Sequence, residues 1–197
     1  MSRRIIPLLL SPCLLWTHVM GFVSITPHRS RKSWSLQTTP LGRVEDVNTW
    51  IQWSSNSLKQ VYNQSLLELM RIDSIEQVHT HTRYAVLSHG TQDDPIFCYS
   101  NVAARDAFQY TEDEFYQLPS RYSAPGGGDR QSRQKIMEDA NNSNLWIIPH
   151  GIRQRKDGSL FEFRDVILWN VYNPQGVRVG QSAVYDQNKV AKVESHP

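Results

Sequence analysis

Apolar residues recur at spacings of three and four from Val47 to Arg71, at Val47, Trp50, Ile51, Leu58, Val61, Tyr62, Leu66, Leu67 and Met70. That period predicts an amphipathic helix, with room for a break near Ser54–Ser57. Beyond it the pattern shortens. Tyr84-Ala-Val-Leu-Ser-His and Ile96-Phe-Cys-Tyr-Ser read as two strands joined by the turn residues of His89-Gly-Thr-Gln-Asp-Asp-Pro. Asn101 is placed to N-cap a short helix over Val102–Phe108. Thr111-Glu-Asp-Glu114 has the form of a capping box, with Tyr110 and Phe115 set as a hydrophobic staple. The acids at 112–114 suit the positive end of that helix, which must stop by Pro119. Ser123–Gly128 reads as a loop, and Gln131–Asn141 as a helix with Ile136 and Met137 on one face.

Three strands close the chain. Leu145 to Arg153 alternates loosely, and Lys156-Asp-Gly-Ser predicts a two-residue Asp-Gly hairpin turn. In the next strand a period of two puts Phe161, Phe163, Ile167, Trp169 and Val171 on one face, with Asp165 interrupting the set. Glu162, Arg164, Val166, Leu168 and Asn170 take the other face. Asn173-Pro-Gln-Gly176 predicts a second tight turn before a strand that aligns Val177, Val179, Gln181, Ala183 and Tyr185. This order predicts an α+β domain: a five-stranded antiparallel sheet with helices on one face, plus the N-terminal amphipathic helix.

Charge divides the chain into unequal parts. Six of the 21 Lys/Arg precede Glu45 and no acid does, so the remainder is mildly acidic although the whole carries +2. An acidic body gives no electrostatic reason to expect binding to nucleic acid or to an anionic membrane. The first 43 residues read as an address. Arg3-Arg4, a short apolar run from Ile5 to Trp16 and small-residue context at Gly21 follow the plan of a signal peptide. Phe22 opens an acid-free segment rich in Ser, Thr and Arg, the composition of a transit peptide. The leader is therefore expected over residues 1–43 and a plastid is the expected destination, with secretion as the alternative. A helical segment is expected over 44–74, the sheet domain over 75–190, and a disordered tail over 191–197. With Cys13 in the leader, Cys98 stands alone in the body, so an intrachain disulfide is not expected there.

The order of elements is that of PAS domains, and Lys156-Asp-Gly…Arg164-Asp165…Asn173-Pro-Gln-Gly176…Gly180 resembles the usual PAS C-terminal hairpins. Three separated stretches carry a closer resemblance. Leu87 to Asn101, Leu118-Pro-Ser-Arg121, and Trp169-Asn170…Gly180-Gln-Ser-Ala183 together resemble the MEKHLA family, a PAS-related domain, over roughly residues 45–187. The resemblance implies a sensing or regulatory role. It supplies neither a ligand nor a catalytic residue.

The candidate chemistry is weighed on that background. His89 beside Asp93 and Asp94 could serve as a general base, or could simply hold a tight loop. His79, His81 and His150 could ligate copper, zinc or haem iron only if they converge with further ligands and with groups that hydrogen-bond and orient their rings. Cys98, as a flavin-adduct or redox thiol, competes with a plain buried strand residue. Arg121 and Gln181 lie within the family-like motifs. Gln181 stands among apolar neighbours, so its amide must tie to Arg121 or Asn101 or point at a ligand. The candidate ligand-binding set is therefore His89, Asn101, Arg121, Trp169 and Gln181, with no cofactor identified. Three functions follow: a module binding a small molecule or a protein partner, a small enzyme using His89 and Asp94, or a homodimer built through Trp50, Trp53 and the 47–70 helix.

Overall fold

The structure, a computed structural model, describes Val44 and residues 46–193. The expected leader over 1–43 and the tail from residue 194 lie outside the described residues, and those described belong to one compact unit.

Helix α1 (Val47–Tyr62) begins where Asp46 Oδ1 accepts the Thr49 N–H at 3.1 Å. It runs unbroken through Ser54–Ser57, contrary to the expected interruption. Those serines face inward and their hydroxyls find partners beyond the helix. Ser54 donates to Ser182 at 2.9 Å, Ser55 accepts from Leu66 N at 3.1 Å, and Ser57 accepts from Tyr172 N at 3.0 Å. A hydroxyl engaged in this way does not compete with the helix backbone. The break falls at Asn63, in the left-handed conformation with φ 60°, and a Ser65–Glu68 capping box then opens α2 (Leu66–Met70). The short helix α3 (Glu76–Thr80) leads to the sheet.

Strands β1 (Tyr84–His89) and β2 (Phe97–Ser100) pair antiparallel, and Asn101 caps α4 (Val102–Phe108). Both halves of the Thr111–Glu114 capping box form at α5 (Glu112–Phe115), and the Tyr110 and Phe115 rings meet edge to face at 6.2 Å. A 3-10 turn at Ser120–Ser123 precedes α6 (Gly128–Asn142). The chain then forms β3 (Leu145–Gln154), β4 (Leu160–Tyr172), β5 (Arg178–Asp186) and the two-residue β6 (Ala191–Lys192). The sheet order is β2-β1-β5-β4-β3, with β6 alongside the start of β4 as a sixth strand. The expected tail is therefore paired at its first two residues.

The α+β architecture with an antiparallel sheet agrees with the sequence reading, and α4, α5 and α6 cover one face as expected. Ala103, Ala104, Ala107, Phe108, Phe115 and Ile136 pack there against Leu87, Phe161, Phe163 and Tyr185. The opposite face is covered as well. Trp50, Ile51, Trp53 and Leu58 of α1 pack with Val86, Ile167, Trp169, Val171 and Val184. Trp50 and Trp53 are consequently buried against the chain's own sheet, which removes them as the expected dimer interface.

Two local features revise the hairpin reading. Gly158 N donates to Arg155 O, Arg155 N donates to Ser159 O, and Gly158 alone takes a positive φ of 87°. The connection is a three-residue loop ending in a left-handed glycine, not a two-residue Asp-Gly turn. Asp165, opposite Pro149, has φ 51°, and this single left-handed residue rotates everything after it by half a turn. Phe161 and Phe163 therefore share a face with Val166 and Leu168, while Ile167, Trp169 and Val171 face α1.

At Gly180 β5 passes close to α1. A Cβ there would stand 2.6 Å from the Trp50 ring and closer still to the His89 carbonyl oxygen. Gly180→Ala is expected to lower stability by about 2 kcal/mol, the usual scale of overpacking, as read from the urea midpoint. An unchanged midpoint would mean that α1 yields without cost.

Candidate functional site

Between the sheet and α6 lies a cavity of about 60 Å³. Leu87, Phe108, Ile148, Phe163 and Leu168 supply much of its apolar wall, and His89, Gln181, Arg133, Arg153 and Tyr185 supply polar atoms. Strand pairing explains the central pair. His89 on β1 lies directly opposite Gln181 on β5, and Gln181 lies opposite Asn170 on β4. Gln181 Nε2 donates to Asn170 Oδ1 at 3.1 Å, which fixes the amide and leaves Oε1 buried without a partner.

His89 is 6% exposed, and its Nδ1 lies 2.8 Å from the Gly90 carbonyl oxygen. A carbonyl can only accept, so Nδ1 carries the proton and Nε2 presents a lone pair. That Nε2 is buried without a hydrogen-bond partner, as is the Tyr185 hydroxyl. Burial lowers the His89 pKa to about 4, helped by the charges of Arg133 and Arg178 and opposed by the Gly90 carbonyl and the Gln181 amide. The ring is therefore neutral at ordinary pH. Burial likewise pushes the Tyr185 phenol up, so it stays protonated.

Arg133 enters the site from α6. It is 8% exposed, and desolvation alone brings its pKa down to about 10, still charged. Its Nη2 donates to Ser120 Oγ at 2.9 Å. Arg153 lies flat over the Phe163 ring, with Cζ 4.3 Å from the centroid.

The structure brings together His89 and Gln181 of the five ligand candidates and places the other three elsewhere. Asn101 is fully engaged: Oδ1 accepts from Val86 N and Ala104 N, and Nδ2 donates to the Val78 and Tyr84 carbonyls. Arg121 is half-exposed, paired with Asp94 and stacked on Tyr122. Trp169 faces α1 and donates its Nε1–H to Ser54 O at 2.9 Å. The reason for its displacement is the rotation at Asp165. Arg133 and Tyr185 were not singled out from the sequence. The signal for Arg133 was a charged residue three positions before Ile136, on the apolar side of its helix.

The remaining candidates have structural partners. Asp94 is half-exposed and paired with Arg121, whereas His89 is buried. His79 contacts Asn48 and Tyr99, His81 Nδ1 accepts from Arg83 N and Tyr84 N, and His150 sits beside Glu162 on the sheet. Among the described residues no group of three His, Cys, Asp or Glu is placed to hold a metal ion. Cys98 is buried on the α1 side, with its thiol pushed up by desolvation and away from the reactive thiolate. Among the described residues no helix is long and apolar enough to cross a membrane.

Solved structures that resemble this one include the following three. The PAS domain of a protein from Colwellia psychrerythraea is 12% identical over 61% of this chain and 94% of its own, with a TM-score of 0.48. An RNA-binding light-oxygen-voltage receptor is 21% identical over 56% of this chain and 31% of its own, with a TM-score of 0.49. A light-oxygen-voltage domain studied with a flavin analogue is 16% identical over 61% of this chain and 84% of its own, with a TM-score of 0.48. No curated protein matches the sequence. The MEKHLA domain model matches residues 48–190, from the first turn of α1 to the edge of β6 and so through every element of both packed faces. The chain belongs to the MEKHLA domain family.

Proposed function

We propose that this protein is a sensory module that holds a small ligand in the cavity between the sheet and α6 and performs no chemistry on it. One observation carries the reading. An apolar chamber contains three buried polar atoms, on His89, Gln181 and Tyr185, that the protein itself leaves unpaired. Native interiors keep few such atoms, and a bound molecule is what would satisfy them. Size limits the choice. About 60 Å³ accommodates a molecule of a few non-hydrogen atoms, against roughly 300–1,000 Å³ for a drug-sized ligand. A flavin or haem does not fit the chamber in this form.

A route to a readout runs through the sheet. Gln181 faces the cavity, while its neighbours Gly180 and Ser182 face α1, against Trp50 and Ser54. A ligand that shifts β5 changes the seat of α1 on the opposite side, provided that it binds the two packings unequally. The test is a thermal-shift screen of the full chain against small polar compounds, beside Gln181→Leu. At least one compound is expected to raise the wild-type melting temperature by about 4 °C or more, with a smaller rise in the variant. A screen in which nothing stabilises the wild type, or in which both respond equally, overturns the reading.

A further inference from the structure

Resting on that ligand-binding reading, we infer that the ligand is a short hydroxycarboxylate, its carboxylate held by Arg133 and its hydroxyl facing the acceptor pair His89 Nε2 and Gln181 Oε1, to one of which it donates its proton. Two independent observations meet in this assignment. The first is charge. Among the described residues no Asp or Glu lines the cavity, and Arg133 has a hydroxyl partner but no carboxylate. A buried guanidinium with no anion beside it is costly to maintain, and a bidentate carboxylate is the group that fits its fork.

The second is hydrogen-bond polarity at the other end. Nδ1 of His89 must give its proton to the Gly90 carbonyl, so Nε2 can only accept. Gln181 Oε1 can only accept too, because its nitrogen is committed to Asn170. Two adjacent acceptors on paired strands, both without a donor, call for an O–H or N–H from the ligand. Neither atom can serve an anion. The ligand must therefore carry opposite characters at its two ends, and with only a few heavy atoms available a hydroxyl close to a carboxylate satisfies both.

Glycolate, acetate and ethylene glycol separate the two requirements, since each of the latter two lacks one group. Titrated into the full chain and followed by calorimetry, glycolate is expected to bind at least about tenfold tighter than acetate. Ethylene glycol is expected to be weaker still. Arg133→Met is expected to abolish glycolate binding while leaving the empty protein as stable as the wild type or more so, because it removes a buried unpaired charge. Arg133→Lys, which keeps the charge, is expected to retain more of the response than Arg133→Met. Acetate binding as tightly as glycolate overturns the hydroxyl assignment. Ethylene glycol or another neutral compound matching glycolate, with Arg133→Met unaffected, overturns the carboxylate assignment but leaves a ligand-binding cavity in place. A chain that binds none of these and responds to nothing in the wider screen fails on both counts.

Discussion

Asn101→Ala is expected to lower the unfolding free energy by on the order of 4 kcal/mol, and in urea denaturation it should rank among the most damaging single substitutions. Asn101 is fully buried, and its amide joins four backbone groups from three segments. Oδ1 takes Ala104 N at 3.1 Å, capping α4, and Val86 N at 2.9 Å, extending the edge of β1. Nδ2 reaches the carbonyls of Val78 at 3.1 Å and Tyr84 at 2.7 Å, closing the connection from α3. Loss of the cap costs about 1 kcal/mol, and each buried backbone group left unpaired costs about 1–3 kcal/mol. Against a total stability of roughly 5–15 kcal/mol this is a large share. Asn101→Asp is the informative companion. It keeps the two accepting roles but turns an anion toward two carbonyl oxygens, so its deficit relative to the wild type at the same pH should be larger at about pH 7, where it is ionised, than at about pH 4. A loss of under about 1 kcal/mol in the alanine variant would mean that water replaces the amide and that Asn101 is not the joint described.

The second large effect is on pH. His89 has its pKa lowered from 6.5 to about 4 in the folded chain, chiefly by burial. The unfolded chain therefore takes up this proton first. Stability is complete above about pH 6.5 and falls as pH drops toward about 4, by roughly 3 kcal/mol for a shift of this size. Glu68 and Glu114 contribute chiefly below that window. Lys59 and Lys156 hold their carboxyls down to about 2, so their share begins to be lost only as pH falls through 4.5 and goes on down to about 2. His81, lowered by burial, adds to the slope in the same direction. Unfolding free energies measured across this range should show the decline in the wild type and a much flatter profile in His89→Gln. Equal slopes in the two proteins would place the proton uptake elsewhere.

How much of this was legible in the sequence follows from the range over which each feature is determined. The capping box at Thr111–Glu114, the cap at Asn101 and the strand Tyr84–His89 were read correctly because neighbours within four residues decide them. The break in the first helix was misplaced. Ser54, Ser55 and Ser57 look like helix breakers until their partners are known, and those partners lie 11 to 128 residues away. Of the candidate site, the pairing of His89 with Gln181 was half visible. A histidine and an amide at apolar-facing positions can be flagged from pattern, but only register sets them opposite each other. Arg133 was missed because helix α6 offers a weak apolar stripe, and a charge on it reads as surface until the sheet is in place.

What the sequence by itself determined is the list of elements, their antiparallel character and the α+β class, since these rest on local periodicity and turn chemistry. Only the tertiary structure decided which face each strand residue serves. Period-two counting assumes that every residue is extended, and Asp165 at φ 51° is not. That one left-handed residue sends Trp169 to α1 and Leu168 to the cavity. A cavity, moreover, is a property of surfaces that meet across the fold, and no single segment carries it.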